Sequence, residues 1–134
     1  MEYILDTNIC IYIIKKKPIR VFEKFSELPL GSVGVSTITL AELQYGVKKS
    51  AQPEKNQLAL NQFLIPLEIA DFDSEAAAEY GEIRATLEKG GTPIGPLDTL
   101  IAAHAKSLKL TLITNNEKEF GRIAGLSIEN WTKE

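Results

Sequence analysis

The sequence predicts an α/β fold in three layers, with a central parallel sheet of about five strands between helices. Short runs that are apolar on both faces alternate along the chain with longer segments of helical period. Strands of this kind are typical of parallel sheets that are covered on both sides. No repeat, low-complexity tract or linker interrupts the 134 residues, a length that suits one domain. We therefore treat residues 1–134 as a single α/β/α sandwich.

The elements follow one another in a regular order. The predicted strands are 2–5, 32–36, 66–71, 110–114 and 126–130. The predicted helices are 8–15, 18–28, 38–49, 53–64, 73–89, 96–108 and 116–122. Pro18 and Pro96 suit the first turn of a helix, where the missing N–H is not needed. Gly90-Gly91 is expected to end the long helix 73–89.

Composition is that of an ordinary globular protein, with 44% hydrophobic and 25% charged residues. The longest apolar run, residues 9–14, is far shorter than the ~20 residues of a membrane span, and the N-terminus does not resemble a secretory signal. The single Cys10 excludes an intramolecular disulfide and a multi-thiolate metal site. We expect a cytoplasmic protein with no membrane partner.

Acidic residues lie just after strands or at the start of helices. Asp6 follows the first strand, Glu42 lies early in the helix after the second, and Asp98 lies in the first turn of helix 96–108. The segment 115–119 follows the fourth strand. In a parallel sheet the carboxyl ends of the strands share one edge, where ligands bind, so these acids are expected to converge there.

Each acid also has a local explanation. Asp6 or Thr7 could cap the first helix, and the dipole of its helix favours Asp98. Two Thr-x-x-Glu pairs, Thr39 with Glu42 and Thr114 with Glu117, fit capping boxes. If Asp6 belongs to a site, we expect Thr7 and Asn8 to do the capping.

Convergence of acids favours a bound cation. Two carboxylates ~4 Å apart repel by ~4 kcal/mol at an effective dielectric of 20. An all-oxygen set without thiolate or nearby imidazole suits Mg²⁺ or Mn²⁺, which are used to attack phosphodiesters. The net charge of −3 argues against general nucleic-acid binding, but with four acids on a metal, 14 remain against 15 Lys and Arg.

Four stretches resemble the PIN-domain ribonucleases, and more narrowly the VapC toxins of toxin–antitoxin pairs. They are "ILDTNICIYIIKKKP", "STITLAELQYGVKKS", "GTPIGPLDTLIAAHAKSLKLTLITNNEKEF" and "LSIENWT". The resemblance spans nearly the whole chain in order and spacing. It implies a PIN fold and a Mg²⁺- or Mn²⁺-dependent endoribonuclease that cleaves structured RNA, commonly tRNA, and inhibits translation.

The resemblance also implies partners. It suggests a homodimer that forms a higher hetero-oligomer with a cognate VapB antitoxin, and contact with DNA only through that antitoxin. Exposed lysines would hold the RNA backbone, although a solvated helix end explains them equally well. The candidates are Lys15, Lys16, Lys17, Lys48 and Lys49.

Asp6, Glu42 and Asp98 match the three acids with which family members hold metal. In this reading Asp6 and Asp98 bind the metal, and Glu42 binds or orients the attacking water. Many members have an aspartate after the fourth strand, where this chain has Asn115 and Asn116. Asn116 could supply a neutral oxygen, but we favour Glu119 as an auxiliary acid. Thr7 would place a hydroxyl on the water or a phosphate, unless it caps the helix.

Two other functions remain open. A non-catalytic PIN-type module would only bind RNA or protein, although the retained acids speak against it. A Mg²⁺-dependent phosphohydrolase would use Asp6 as nucleophile, but the Asp-x-Asp that such enzymes carry is missing, since Thr7-Asn8 follows.

Three further features receive structural explanations. We expect His104 to pack or lie on a helix surface, and Cys10 to be an inert core thiol. Trp131 should close the core near the C-terminus. The first helix is apolar almost all round, so something must cover it. The second helix is the preferred cover over a dimer mate or an antitoxin peptide.

Overall fold

The computed structural model describes residues 1–133 and confirms the three-layer α/β/α prediction. All strand pairs in its five-stranded sheet are parallel, in the order β3-β2-β1-β4-β5. The strands are β1 (Tyr3–Leu5), β2 (Val33–Ser36), β3 (Glu68–Ala70), β4 (Thr111–Ile113) and β5 (Ile128–Glu129). Each predicted strand is present and is shorter than predicted, mostly by a residue or two at each end.

Seven helices in residues 1–133 connect and cover the strands. They are α1 (Thr7–Lys15), α2 (Ile19–Ser26), α3 (Thr37–Lys49), α4 (Pro53–Leu64), α5 (Ser74–Lys89), α6 (Pro96–Leu108) and α7 (Glu117–Phe120). Pro18 was expected inside the first turn of α2. Instead it is the residue before the helix, in extended conformation and after a cis peptide bond.

The two faces of the sheet carry separate cores because neighbouring strand residues point to opposite sides. Leu5 and Ile113 face a cluster built with α1 to α4. Ile4 and Leu112 face a second cluster built with α5, α6 and α7. All four side chains are fully buried, which explains why two consecutive positions in each of these strands are apolar.

Strand order creates a switch point beside β1. The chain passes from β1 to β2 and β3 on one side, and then returns to β4 and β5 on the other. In such sheets the crevice beyond the carboxyl ends at the switch point is the usual ligand site. Asp6 lies there, and its backbone N–H donates to the Ile113 carbonyl of β4 over 3.0 Å.

Helix α1 is covered within the chain, as expected. Ile9, Cys10 and Ile13 are buried, and α1 contacts α2, α3 and α4. Ile11 and Ile14 on another face remain partly exposed.

The C-terminal part closes the same core. Trp131 is 3% exposed and meets the Tyr3 ring edge-on, with 5.7 Å between ring centroids. In the part of the chain described, no helix combines the length and hydropathy needed to cross a membrane.

Candidate active site

Asp6 has one of the two roles that the sequence left open, that of a helix cap. It precedes α1 in extended conformation, and its carboxylate accepts a 2.9 Å hydrogen bond from the Ile9 N–H. It therefore caps the helix itself, and the expectation that Thr7 and Asn8 do so is wrong. The Thr114 hydroxyl also lies within hydrogen-bonding reach of this carboxylate. Only 5% of Asp6 is exposed, so the acid is held rigidly at the end of β1.

The Thr7 side chain is hydrogen-bonded to Glu42, the second candidate acid. Its hydroxyl donates to Glu42 Oε1 over 2.6 Å, which joins the first residue of α1 to the second turn of α3. The alternative in which Thr7 caps α1 is therefore wrong, since its hydroxyl faces another helix. The hydrogen bond fixes Glu42 beside the residue that follows Asp6.

The two predicted capping boxes are also wrong. Ser36 caps α3 by accepting from the Ile38 N–H over 3.0 Å, whereas Thr39 is fully buried. Thr114 accepts from the Asn116 N–H over 2.9 Å. Glu117 turns to the C-terminal segment, where Asn130 and Lys133 bind it. With Ser36 as the cap of α3, Glu42 has no capping role.

Asp98 lies in the first turn of α6 and is half-buried. Burial raises its pKa above the ordinary range, and the negative charges of Glu119 and Glu42 raise it further. Asp98 therefore lies within electrostatic range of both acids, one on α7 and one on α3.

The pKa of Asp6 is also raised, mainly by burial. Burial raises its pKa to about 6, against hydrogen bonds from Thr114 and the Ile9 N–H, and the charges of Asp98 and Glu42 add to the rise. Carboxyl groups that share a crevice disfavour each other's charged form. The four acids predicted from the sequence thus converge at one edge of the sheet, as parallel strands require.

The acids converge, but they do not form a closed metal-binding site. Within residues 1–133, no three acidic, histidine or cysteine side chains lie close enough together to hold one ion as they stand. The donor set still fits a hard divalent cation, because it offers carboxylate and hydroxyl oxygens and a buried acid whose charged form needs a counter-charge.

The candidates for the fourth site position, all after β4, have different surroundings. Asn115 accepts hydrogen bonds from Asn130 (3.0 Å) and Thr132 (3.1 Å), so the C-terminal segment holds it. Asn116 is half-buried and precedes α7. Glu119 is half-buried and near enough to Asp98 to raise its pKa.

Of the candidate lysines, Lys15 lies nearest the acids. It lines an open groove of about 320 Å³ together with Glu42, Ile11 and Ile14. Lys16 lies over the Phe22 ring and Lys49 over the Tyr45 ring.

Lys17 and Lys48 are exposed, like the other three. The five lysines belong to the ends of two helices, α1 and α3, and Lys15 is the one that lines the groove with Glu42.

Sequence reasoning missed two polar residues near the site. Thr114 at the end of β4 contacts the Asp6 carboxylate, and a polar residue that ends a buried strand was the available signal. Ser36 ends β2 in the same way and bonds to His104, which is buried. The packing role expected for His104 is confirmed. Cys10 is a buried free thiol, as expected.

Comparison with known proteins agrees with this geometry. Residues 3–126 match the PIN domain family. The chain is 45% identical over 132 residues to the tRNA(fMet)-specific endonuclease VapC of Shigella flexneri, covering 98% of this chain and 99% of that protein. It is 49% identical over 134 residues to Ribonuclease VapC2 of Rickettsia felis, covering 99% and 100%.

A solved structure has the same fold over the same length. The crystal structure of VapBC2 from Rickettsia felis bound to a DNA fragment from their promoter contains a chain that superposes with a TM-score of 0.92. The two chains are 48% identical, and the match covers 98% of this chain and 99% of that one. The resemblance inferred from the sequence motifs is confirmed, and the chain belongs to the PIN-domain family of VapC ribonucleases.

Proposed function

We propose that this VapC ribonuclease is a metal-dependent endoribonuclease toxin that cleaves tRNA and thereby inhibits translation. The convergence of Asp6, Glu42, Asp98 and Glu119 at the switch point carries the proposal. The substrate is suggested by the Shigella flexneri relative, which is named a tRNA(fMet)-specific endonuclease. Initiator tRNA is therefore the first substrate to test.

The positions of the acids suggest a different role for each. Asp6 and Asp98 would hold Mg²⁺ or Mn²⁺, since burial and neighbouring negative charges raise the pKa of both. Bound there, the ion supplies charge to offset that of the phosphate oxygens and lowers the pKa of water. Glu42, held by Thr7, would accept a hydrogen bond from the attacking water and orient it.

Two further side chains complete the proposed site. Glu119 acts as the auxiliary acid from the helix that follows Asn115 and Asn116, because it lies in electrostatic range of Asp98. Asn116 remains the alternative donor, with a neutral amide oxygen. Thr7 contributes by fixing Glu42.

The RNA backbone approaches along the groove that Lys15 shares with Glu42. An ammonium group there attracts phosphate and offsets the acidic crevice. Lys16, Lys17, Lys48 and Lys49 are exposed at helix ends and would contact more distant phosphates.

We also propose a VapB antitoxin as the partner. The Rickettsia felis relative is seen as VapBC2 bound to a DNA fragment from their promoter. An apolar antitoxin segment would fit the groove beside Ile11 and Ile14, where it would cover Glu42 and exclude RNA. In this proposal the toxin is a homodimer within a larger hetero-oligomer, and DNA contact is made through the antitoxin.

The decisive experiment incubates the purified chain with initiator tRNA and with an elongator tRNA, in Mn²⁺ or in EDTA. We expect cleavage of the initiator tRNA in Mn²⁺ only, and none by Asp6→Asn, which keeps the shape but removes the charge. Glu88→Gln is the control for loss of one carboxylate charge, because Glu88 is exposed on α5 and pairs with Arg84 of the same helix. Binding of tRNA without cleavage by the wild type would instead support the non-catalytic module.

A further inference from the structure

A buried histidine joins the two helices that carry Glu42 and Asp98. His104 Nδ1 on α6 lies 2.8 Å from Ser36 Oγ, the residue that caps α3. His104 is 1% exposed and Ser36 is fully buried, although they lie 68 residues apart in the chain. Among residues 1–133 this is the only side-chain hydrogen bond recorded between α6 and the segment 36–49.

The partners of Ser36 are compatible with an imidazole that accepts a hydrogen bond at Nδ1. Its hydroxyl oxygen already accepts from the Ile38 N–H over 3.0 Å, so its own hydrogen is free to go to His104 Nδ1. The imidazole then carries its hydrogen on Nε2. That nitrogen has no hydrogen-bond partner of good geometry in the described residues, although the Asp71 backbone is near enough to influence the ring.

The surroundings keep the imidazole neutral and fixed. Burial lowers the pKa of His104, while the charges of Asp73 and Asp71 partly oppose that change. The Phe72 ring meets the imidazole edge-on, with 5.4 Å between centroids. Phe72 is itself fixed because its N–H donates to the Thr37 hydroxyl, the first residue of α3, over 3.2 Å.

This arrangement has a consequence for the acids. Glu42 lies six residues after Ser36 on α3, and Asp98 lies six residues before His104 on α6. Hydrogen bonds to the sheet and to the Ile9 N–H fix the position of Asp6. No strand pairing fixes α3 against α6 in this way. Ser36 precedes the first turn of α3 and His104 lies in the C-terminal half of α6, so their hydrogen bond links the two helices in addition to the packing between them.

We propose that His104 is a positioning residue for the nuclease site: through Ser36 it sets the separation of Glu42 and Asp98. The inference rests on the proposed function, because it assigns a cation site to those acids. His104 does not touch the substrate, and its role is to hold α3 and α6 in one register.

Two variants separate the hydrogen bond from packing. His104→Leu keeps most of the volume and removes the acceptor. His104→Asn is smaller, but its Oδ1 can occupy the Nδ1 position and accept from Ser36. Phe63→Leu is the control for general destabilisation, since Phe63 is 8% exposed and packs on Phe25 of α2.

The readout is the rise in melting temperature that Mn²⁺ gives, measured for each full-length variant against its own metal-free sample. It is accompanied by kcat and KM on tRNA. We expect His104→Leu to bind Mn²⁺ about tenfold more weakly and to lose kcat by a similar factor, the low end for residues that orient metal ligands. His104→Asn should recover most of both, and Phe63→Leu should bind Mn²⁺ as wild type does.

A double-mutant cycle with Ser36→Ala tests the route. Ser36→Ala also removes the cap of α3, so it has an effect of its own; if the two residues act through one bond, His104→Leu costs less Mn²⁺ affinity in the Ser36→Ala background than in wild type. Additive losses would overturn the inference, as would His104→Leu with the Mn²⁺ affinity and kcat of wild type. A wild type that neither binds Mn²⁺ nor cleaves RNA would overturn the proposed function itself, and the inference with it.

Discussion

The Thr7 hydroxyl and the Glu42 carboxylate form a 2.6 Å hydrogen bond between α1 and α3. Asp6, the residue before Thr7, is held by the Ile9 N–H at the start of the same helix. One short stretch of chain therefore fixes two of the four candidate acids. Asp6 is fixed through the backbone of α1, and Glu42 through the side chain of Thr7.

This relationship predicts that Thr7→Val lowers kcat about tenfold, the magnitude typical of a lost group that orients a ligand or its water. KM should change little, because the hydroxyl faces Glu42 instead of the substrate. Thr7→Ser keeps the donor and should remain close to wild type. Steady-state cleavage of tRNA checks both variants, and a Thr7→Val enzyme with unchanged kcat would show that Glu42 needs no such support.

Asp6 should make the stability of the metal-free protein depend on pH. Its pKa is about 6 in the folded protein against 3.8 ordinarily. Between these values the unfolded chain releases the proton that the folded chain keeps, so the stability falls as pH rises through this window and is constant above it. The difference corresponds to roughly 3 kcal/mol. Asp6→Asn avoids this loss and can still accept from the Ile9 N–H.

We therefore expect Asp6→Asn to be more stable than wild type by about 1–3 kcal/mol at pH 7.5 in EDTA, and equal to it near pH 3.5. Urea unfolding at the two pH values measures the difference. Adding Mn²⁺ should reverse the order, because only the charged acid gains from the cation. Equal stability at both pH values would mean that the Asp6 carboxylate is well solvated.

The strands and the acids could be predicted from sequence, because both follow from short-range patterns. Apolar runs such as Tyr3–Leu5 have few alternatives to a buried parallel strand, and the shared edge of such strands brings Asp6 and Asp98 together. Helix starts could not be predicted to the residue. Thr39 fits a capping box locally, but tertiary packing buries it and leaves the cap to Ser36.

Contacts between segments that are distant in the chain could not be predicted from the sequence. Thr7 with Glu42 and Ser36 with His104 are 35 and 68 residues apart. A hydroxyl next to an acid has a local capping explanation at least as good, so only the packing of α1, α3 and α6 reveals the partner. The fourth site position was left open for the same reason. Asn115 and Asn116 are adjacent, and it is the C-terminal segment that holds Asn115.

The fourth position can be assigned by comparing two glutamates of α7. Glu119 is in electrostatic range of Asp98, whereas Glu117 binds Lys133 and Asn130. We expect Glu119→Gln to lose about tenfold or more in kcat, as for residues that orient ligands, and Glu117→Gln to lose little. Single-turnover cleavage at saturating enzyme measures both. If Glu119→Gln is silent and Asn116→Ala is inactive, the amide of Asn116 occupies the position.

Lys15 should act on substrate binding and leave the chemical step unchanged. It is exposed at the end of α1 and lines the groove that contains Glu42, so its ammonium group can contact a phosphate beside the acids. Lys15→Ala should raise KM for tRNA several-fold and lower the slope of log affinity against log salt by about one, as for one lost phosphate contact. kcat at saturating tRNA should be retained.

Lys89→Ala is the matched control, because Lys89 is equally exposed at the end of α5. It changes the net charge of the protein by the same amount without altering the groove. KM measured for both variants between low and moderate salt distinguishes a local contact from general attraction. If Lys89→Ala raises KM as much as Lys15→Ala, the RNA responds only to the overall charge, and the groove beside Glu42 is not its path.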